Sequence, residues 1–368
     1  MAKSKDLRTE VGQLLIMGFD GAEMSPKLRT MISGLQPGGV ILFRRNIEAA
    51  QQAFDLVQEC RGLVKVPLFT CIDMEGGTVD RLRDLIAPAP SVAAVFATGR
   101  RKLFRKHGRI LGEESRALGF NTDFAPVLDL RFEPSLKVLG SRTASDDPKL
   151  TIQYARELLK GLKDAGVLGC GKHFPGLGEA NLDTHKELPS IEKRWKELWK
   201  QDLAPYRELR REMPFVMVAH AAYRDVTKDH IPASISKKWI SEILRKKIGY
   251  KGLAISDDLE MGGVQKAVTI EDAAIQTIQA GADIFLVCHK EEIVWRAFEK
   301  VLTTAEKDRR FAARVNQCAA RILAFKKKAK ELRWKPKPPS QKTIDKLRRT
   351  LWEFSEEVRI DMAAPRNA

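Results

Sequence analysis

The chain has 368 residues, 43% of them hydrophobic, 7% aromatic and 30% charged, which excludes disorder over most of its length and allows one large or two average domains. Its formal charge of +16 raises the question of nucleic acid, but eleven Lys or Arg against two acids between Lys326 and Arg349 supply a net +9 of it, so the excess lies in a tail expected to face water and no nucleic-acid partner is expected. Met1 to Arg8 lack the apolar stretch of a secretion signal, no segment reaches the roughly 18 apolar residues of a membrane span, and Cys60, Cys71, Cys170, Cys288 and Cys318 show neither disulfide nor zinc spacing, which together predict a cytoplasmic protein with reduced thiols and neither metal nor cofactor.

Short apolar runs bounded by Gly, Pro or Asp predict the first two strands at Leu14–Phe19 and Gly39–Phe43, followed by helical periodicity over Ile47–Val64. The third run, Leu68–Asp73, ends in an acid and continues as Asp73-Met74-Glu75-Gly76-Gly77-Thr78-Val79-Asp80-Arg81. An Asp and an Arg so placed can make paired hydrogen bonds to the vicinal hydroxyls of a sugar, or simply brace a loop as a buried pair. A helix over Arg101–Leu118 precedes the fourth strand, Thr122–Asp129, and another over Lys149–Ala165 precedes the fifth, Val167–His173.

The fifth strand runs into Lys172-His173-Phe174-Pro175-Gly176-Leu177-Gly178-Glu179-Ala180-Asn181-Leu182-Asp183-Thr184-His185, a loop that mixes Gly and Pro breakers with ionisable side chains. In extended chain the side chains at i and i+2 project to one side, so the Asp183 carboxylate can hold the His185 ring and favour its protonated form. That describes an oriented general acid/base.

A helix over Lys193–Arg211 leads to the sixth strand, Phe215–His220, and a helix over Ser236–Ile248 to the seventh, Leu253–Asp257. The seventh ends in two adjacent carboxylates, Asp257 and Asp258. Neighbours in extended chain point oppositely, so one faces the strand-end mouth and the other supports the turn or caps the next helix; periodicity does not say which. Helical sequence over Glu271–Ala280, the eighth strand Asp283–Cys288 and a last helix from about Glu306 to Lys330 complete the alternation. Trp334-Lys335-Pro336-Lys337-Pro338-Pro339 reads as a stiff linker, and Ser340 offers an N-cap to an amphipathic helix carrying Ile344, Leu347, Leu351, Trp352, Phe354 and Val358. The expected organisation is a catalytic unit over residues 1–332, a Lys/Pro linker over 333–341 and a basic helical extension over 342–368, packed on the barrel or on a second subunit.

Eight strands alternating with helices predict an α/β fold, a (β/α)8 barrel of the TIM type, and place Asp20, Asp73, Asp129, His173, His220, Asp257 and His289 at or just past strand ends that converge on one face. A doubly wound open sheet is the alternative, but no Gly-rich phosphate fingerprint follows the first strand.

Lys-His-Phe-Pro-Gly-x-Gly with Asp-Thr-His, Asp-x-Glu-Gly-Gly-x-Val-x-Arg and Ser-Asp-Asp-Leu-x-Met, in this order, resemble the motifs of family 3 glycoside hydrolases, in their single-domain β-N-acetylglucosaminidase branch. Ala125-Pro126-Val127-Leu128-Asp129, Gly140-Ser141-Arg142 and Ile231-Pro232-Ala233-Ser234-Ile235-Ser236 agree as well, and the resemblance spans roughly Leu7 to Lys330. It implies that Asp257 is the nucleophile with Asp258 in support, that Asp183 and His185 form the acid/base dyad, and that Asp73, Arg81, Arg142, Lys172 and His173 hold the terminal sugar. His220 and His289 receive no role. Leu177 departs from the family, which frequently has His there; this touches a secondary polar contact and leaves the dyad intact.

The activity so implied is retaining exo-hydrolysis of a terminal β-linked N-acetylglucosamine through a covalent intermediate, on a glycan or on muropeptides of bacterial cell wall. A phosphorylase using the same intermediate is the nearest alternative, because an imidazole acid/base leaves room for phosphate. A non-catalytic glycan-binding barrel would predict a damaged catalytic set, whereas Asp257, Asp183 and His185 are all present.

Overall fold

The computed structural model describes residues 4–184 and 187–363. Strands β1 (Leu15–Met17), β2 (Gly39–Ile41) and β3 (Phe69–Ile72) are followed by an antiparallel hairpin, β4 (Met74–Gly76) with β5 (Val79–Asp80). Then come β6 (Thr122–Asp123), β7 (Leu168–Phe174), β8 (Phe215–Val218), β9 (Leu253–Asp258) and β10 (Ile284–Val287). All but the hairpin are parallel neighbours in the closed order β1, β10, β9, β8, β7, β6, β3, β2. Closure shows in the register, where Ile16 pairs with Leu286 on one side and with Gly39 on the other. This is the expected (β/α)8 barrel.

The barrel strands are short, mostly apolar and buried on both faces, as parallel strands under a helical ring must be, with polar residues gathered toward the ends of β7 and β9. The helices are amphipathic: Arg101–Ala117 turns Leu103, Phe104, Ile110 and Leu111 inward and leaves its basic residues outside. Caps set their starts, with Ser25, Ser91, Thr269 and Asp308 each accepting a main-chain N–H of the first turn.

Three expectations are corrected. The fourth strand is laddered only at Thr122–Asp123, because Pro126 has no N–H to give; the chain still runs beside β7, through Cys170 N to Ala125 O at 2.7 Å and Leu128 N to Lys172 O at 2.6 Å. The helix expected over Lys193–Arg211 is two short ones, Trp195–Lys200 and Ala204–Leu209, since Gln201 leaves helical backbone and Asp202 turns inward to pair with Lys193. The basic tail is not wholly solvated either. Lys326 is 3% exposed at the closed end of the barrel, giving hydrogen bonds to Gln13 Oε1 (2.9 Å) and Gly38 O (2.7 Å) and standing over the Phe69 ring.

The helix Gln341–Ala363 lies on Arg101–Ala117 and Val92–Ala97, burying Ile344, Leu347, Leu351, Phe354 and Val358. Phe354 stacks on His107, with Lys106–Glu357 and Arg100–Asp361 ion pairs flanking it. Among the described residues, no helix is long and apolar enough to cross a membrane.

Candidate active site

The carboxyl ends of the strands enclose a cavity of about 230 Å³ lined by Asp73, Arg81, Arg142, Lys172, His173, Asp183 and Asp257, with Glu75 and Asp258 beside them. All the site residues expected from the sequence except His185 meet there. His185 lies outside the described residues.

A buried ionic cage forms the floor. Asp73 directly follows β3, Glu75 lies two residues on in the hairpin, and alternation carries both to one side. Lys172 of β7 reaches Asp73 at 2.9 Å and Glu75 at 2.6 Å; Arg142 makes a fork on Glu75 at 2.7 and 2.9 Å; Arg81 reaches Asp73 at 3.3 Å. Burial alone would raise the carboxyl pKa values. The charges of Lys172 and Arg81 instead hold Asp73 well below the usual range, and Arg142 and Lys172 do the same for Glu75. Burial likewise works against the charge on Lys172, but Asp73 and Glu75 push its pKa up. The cage is therefore fully ionised at neutral pH, and Glu75 is a member that the sequence reading passed over. Its signal was the two-residue spacing from Asp73.

His173 follows Lys172 across a cis peptide, and its Nδ1 lies 2.6 Å from Asp129 Oδ2. This orients Nε2 within 3.5 Å of the Arg142 guanidinium at the cavity wall. Asp129 Oδ1 also accepts the Leu177 N–H at 2.7 Å, a main-chain contact indifferent to which side chain stands at 177. The Leu177 side chain, buried, completes an apolar part of the wall with Val138 and Leu139.

The loop after β7 is tied down at several points. Gly176 has φ +134, and a Cβ there would come within 2.8 Å of Asp202, so only glycine passes this position. Tyr223 donates to Gly176 O at 2.7 Å. Lys193 pairs with Asp202 at 2.7 Å and reaches Glu179 of the loop at 3.6 Å; burial pushes the Asp202 pKa up to about 6 despite Lys193. Further along, Thr184 O accepts the Gly263 N–H at 3.0 Å, which brings Asp183 and Thr184 against the segment that follows Asp257.

At the end of β9 the two carboxylates separate. Asp257 is half-buried on the cavity, its Oδ1 accepting the Asp258 N–H at 2.8 Å. Asp258 also borders the cavity but is committed elsewhere: its Oδ1 accepts from Glu260 N (3.0 Å) and Cys288 N (3.2 Å), and its Oδ2 lies 3.2 Å from His289 Nε2. That pairing raises the His289 pKa, and the ring stacks on Phe43 with centroids 5.4 Å apart. Among the described residues, no group of three or more His, Cys, Asp or Glu is arranged to hold a metal ion.

One cavity thus joins a half-buried carboxylate, Asp257, to a cage of paired charges, and comparison with known proteins gives the chain its family. A curated β-hexosaminidase of Alkalilimnicola ehrlichii is 37% identical over 287 residues, 76% of this chain and 82% of that protein. One from Haemophilus influenzae is 33% identical over 331 residues, 87% of this chain and 93% of that protein. The solved family 3 β-N-acetylglucosaminidase of Paenibacillus sp. FPU-7 matches with a TM-score of 0.90 at 34% identity, covering 96% of this chain and 68% of that one. The family signature described as "Glycosyl hydrolase family 3 N terminal domain" matches residues 6–325, so the chain belongs to glycoside hydrolase family 3 and is a glycoside hydrolase.

Proposed function

We propose that the protein is a retaining exo-β-N-acetylglucosaminidase that releases terminal N-acetylglucosamine from glycans, its natural substrates being muropeptide fragments of peptidoglycan. The observation that carries the reading is the meeting of Asp257, Asp183 and the Asp73, Arg81, Arg142, Lys172 and His173 set in one cavity. The names of the relatives support the choice of sugar. Five free, buried cysteines suit the reducing cytoplasm in which such fragments would be recycled.

In the first step Asp257 attacks the anomeric carbon as the bond to the leaving oxygen breaks, and His185, oriented by Asp183, gives that oxygen its proton. In the second, the imidazole takes a proton from water as the water oxygen displaces Asp257, so the sugar leaves with its original anomeric configuration. Arg142 and Lys172 hold donors toward the sugar hydroxyls, while Asp73 accepts from them, each already fixed by its partners in the cage.

The test is turnover of 4-nitrophenyl β-N-acetylglucosaminide beside the β-glucoside. Hydrolysis of the acetamido sugar at a clearly higher kcat/KM is expected, with Asp257→Ala slower by about 10⁴-fold or more. Faster turnover of the glucoside sinks the assignment of the sugar, and N-acetylglucosamine 1-phosphate formed when phosphate is added would make the protein a phosphorylase.

A further inference from the structure

Two features of the sequence have no task in this mechanism: His220, past the end of β8, and the segment Ile231–Ser236. The structure joins them. Ala233 N bonds to Ala221 O at 2.9 Å and Ser234 N to Ala219 O at 3.1 Å, so the segment folds back over the chain leaving β8. This lays Ser234 Oγ 2.7 Å from His220 Nδ1, with both residues fully buried. The other ring nitrogen, Nε2, lies 2.8 Å from the main-chain oxygen of Asp258.

The chemistry of the partners fixes the tautomer. A carbonyl only accepts, so Nε2 carries the proton and Nδ1 takes the Ser234 hydroxyl proton as acceptor. Burial lowers the His220 pKa, against the pull of Asp257 and Asp258, which keeps the ring neutral. The residue whose carbonyl the imidazole grips is the one whose N–H holds Asp257 Oδ1 at 2.8 Å. Ser234, His220, Asp258 and Asp257 thus form a continuous chain of short contacts ending on the attacking carboxylate. The same strand end meets the loop bearing Asp183: a Cβ on Gly263 would come within 3.0 Å of His220 O and 2.9 Å of Thr184 O, so the three backbones touch at one glycine.

We infer that His220, held by Ser234, is a positioning residue that fixes the backbone of Asp258 and through it the attack geometry of Asp257. The inference rests on the reading of Asp257 as nucleophile. A buried histidine that merely satisfies core polar groups would have no reason to select the residue next to the nucleophile, and carboxylate placement matters because a displacement near 1 Å can cost on the order of 10²-fold in rate.

The experiment compares His220→Leu, His220→Gln and Ser234→Ala in kcat and KM on the aryl β-N-acetylglucosaminide, with N-acetylglucosamine binding and thermal unfolding measured on each. Leu removes the donor, and kcat is expected to fall about 10²-fold while KM and product affinity stay within about threefold. Gln can offer an amide N–H to the same carbonyl and should recover about tenfold of the loss; Ser234→Ala, which frees the ring, should lose about 3- to 10-fold in kcat alone. A folded His220→Leu with kcat within threefold of the parent, or a Gln variant no better than Leu, reduces His220 to a packing residue. Should Leu fail to fold, an unchanged kcat in Ser234→Ala overturns the proposal equally well. Asp257→Ala run in parallel separates the two ideas: turnover surviving in that variant defeats the assignment of the nucleophile itself.

Discussion

Glu75 shows how one side chain can govern a site it was not expected to join. It is wholly enclosed and stands against Arg142 and Lys172 at once, so its charge offsets two cations that have little access to water. Removing one partner of a buried ion pair leaves the other uncompensated, which costs more than the pair itself contributes. Glu75→Gln is therefore expected to lower stability by about 3–5 kcal/mol in urea unfolding and to reduce kcat/KM by about 10²-fold, through a Lys172 and an Arg142 no longer held in place. A variant as stable as the parent would show that the cage does not depend on this carboxylate. The hint in the sequence was only a spacing, and spacing cannot distinguish a solvent-facing Glu from one closed in by an arginine and a lysine brought from far along the chain.

At the level of elements, the helix Arg309–Lys328 ends by inserting Lys326 beneath the strands, and burial pushes this amine down to about 7 from its usual 10.5. The unfolded chain then binds more protons than the folded one between those two values, so stability rises with pH across that window and gains nothing below it. Unfolding free energies measured at pH 7 and pH 10 should therefore climb by a few kcal/mol more in the parent than in Lys326→Met; equal slopes would mean that the amine keeps its proton throughout. The alternation of strands and helices was legible, because short apolar runs and amphipathic periods are local signals. Lys326, the break at Gln201 and the truncated ladder at Pro126 were not, since each is decided by what another element places opposite. The site divides in the same way. Asp73, Arg81, Lys172 and His173 were marked by strand ends and by resemblance, and resemblance alone divided Asp257 from Asp258; the contacts that set the two apart come from Cys288 and His289, just past the neighbouring strand, and periodicity could not show them.

Over the whole molecule, the C-terminal helix acts as a clasp on the part of the barrel wall that lies between β3 and β6. Besides its apolar face, Arg348 donates to Leu85 O at 2.7 Å, on the loop that follows the hairpin and Arg81. Phe354, fully buried against His107, is the largest side chain in this contact. Phe354→Ala is expected to cost about 3–5 kcal/mol, read as a lower urea midpoint. A negligible change would show the helix to be dispensable for the barrel.

The ionic cage has a consequence for behaviour in salt. The molecule's +16 lies mainly on its outside, where counterions gather and screen it beyond about 8 Å at physiological ionic strength. Lys172 and Glu75 are buried in the floor of the cavity, where that ion atmosphere screens little. Added salt therefore weakens the long-range pull of the surface on any anion and leaves the ion pairs of the cage almost untouched. The molecule thus carries two separate populations of charge, and only the outer one responds to the medium.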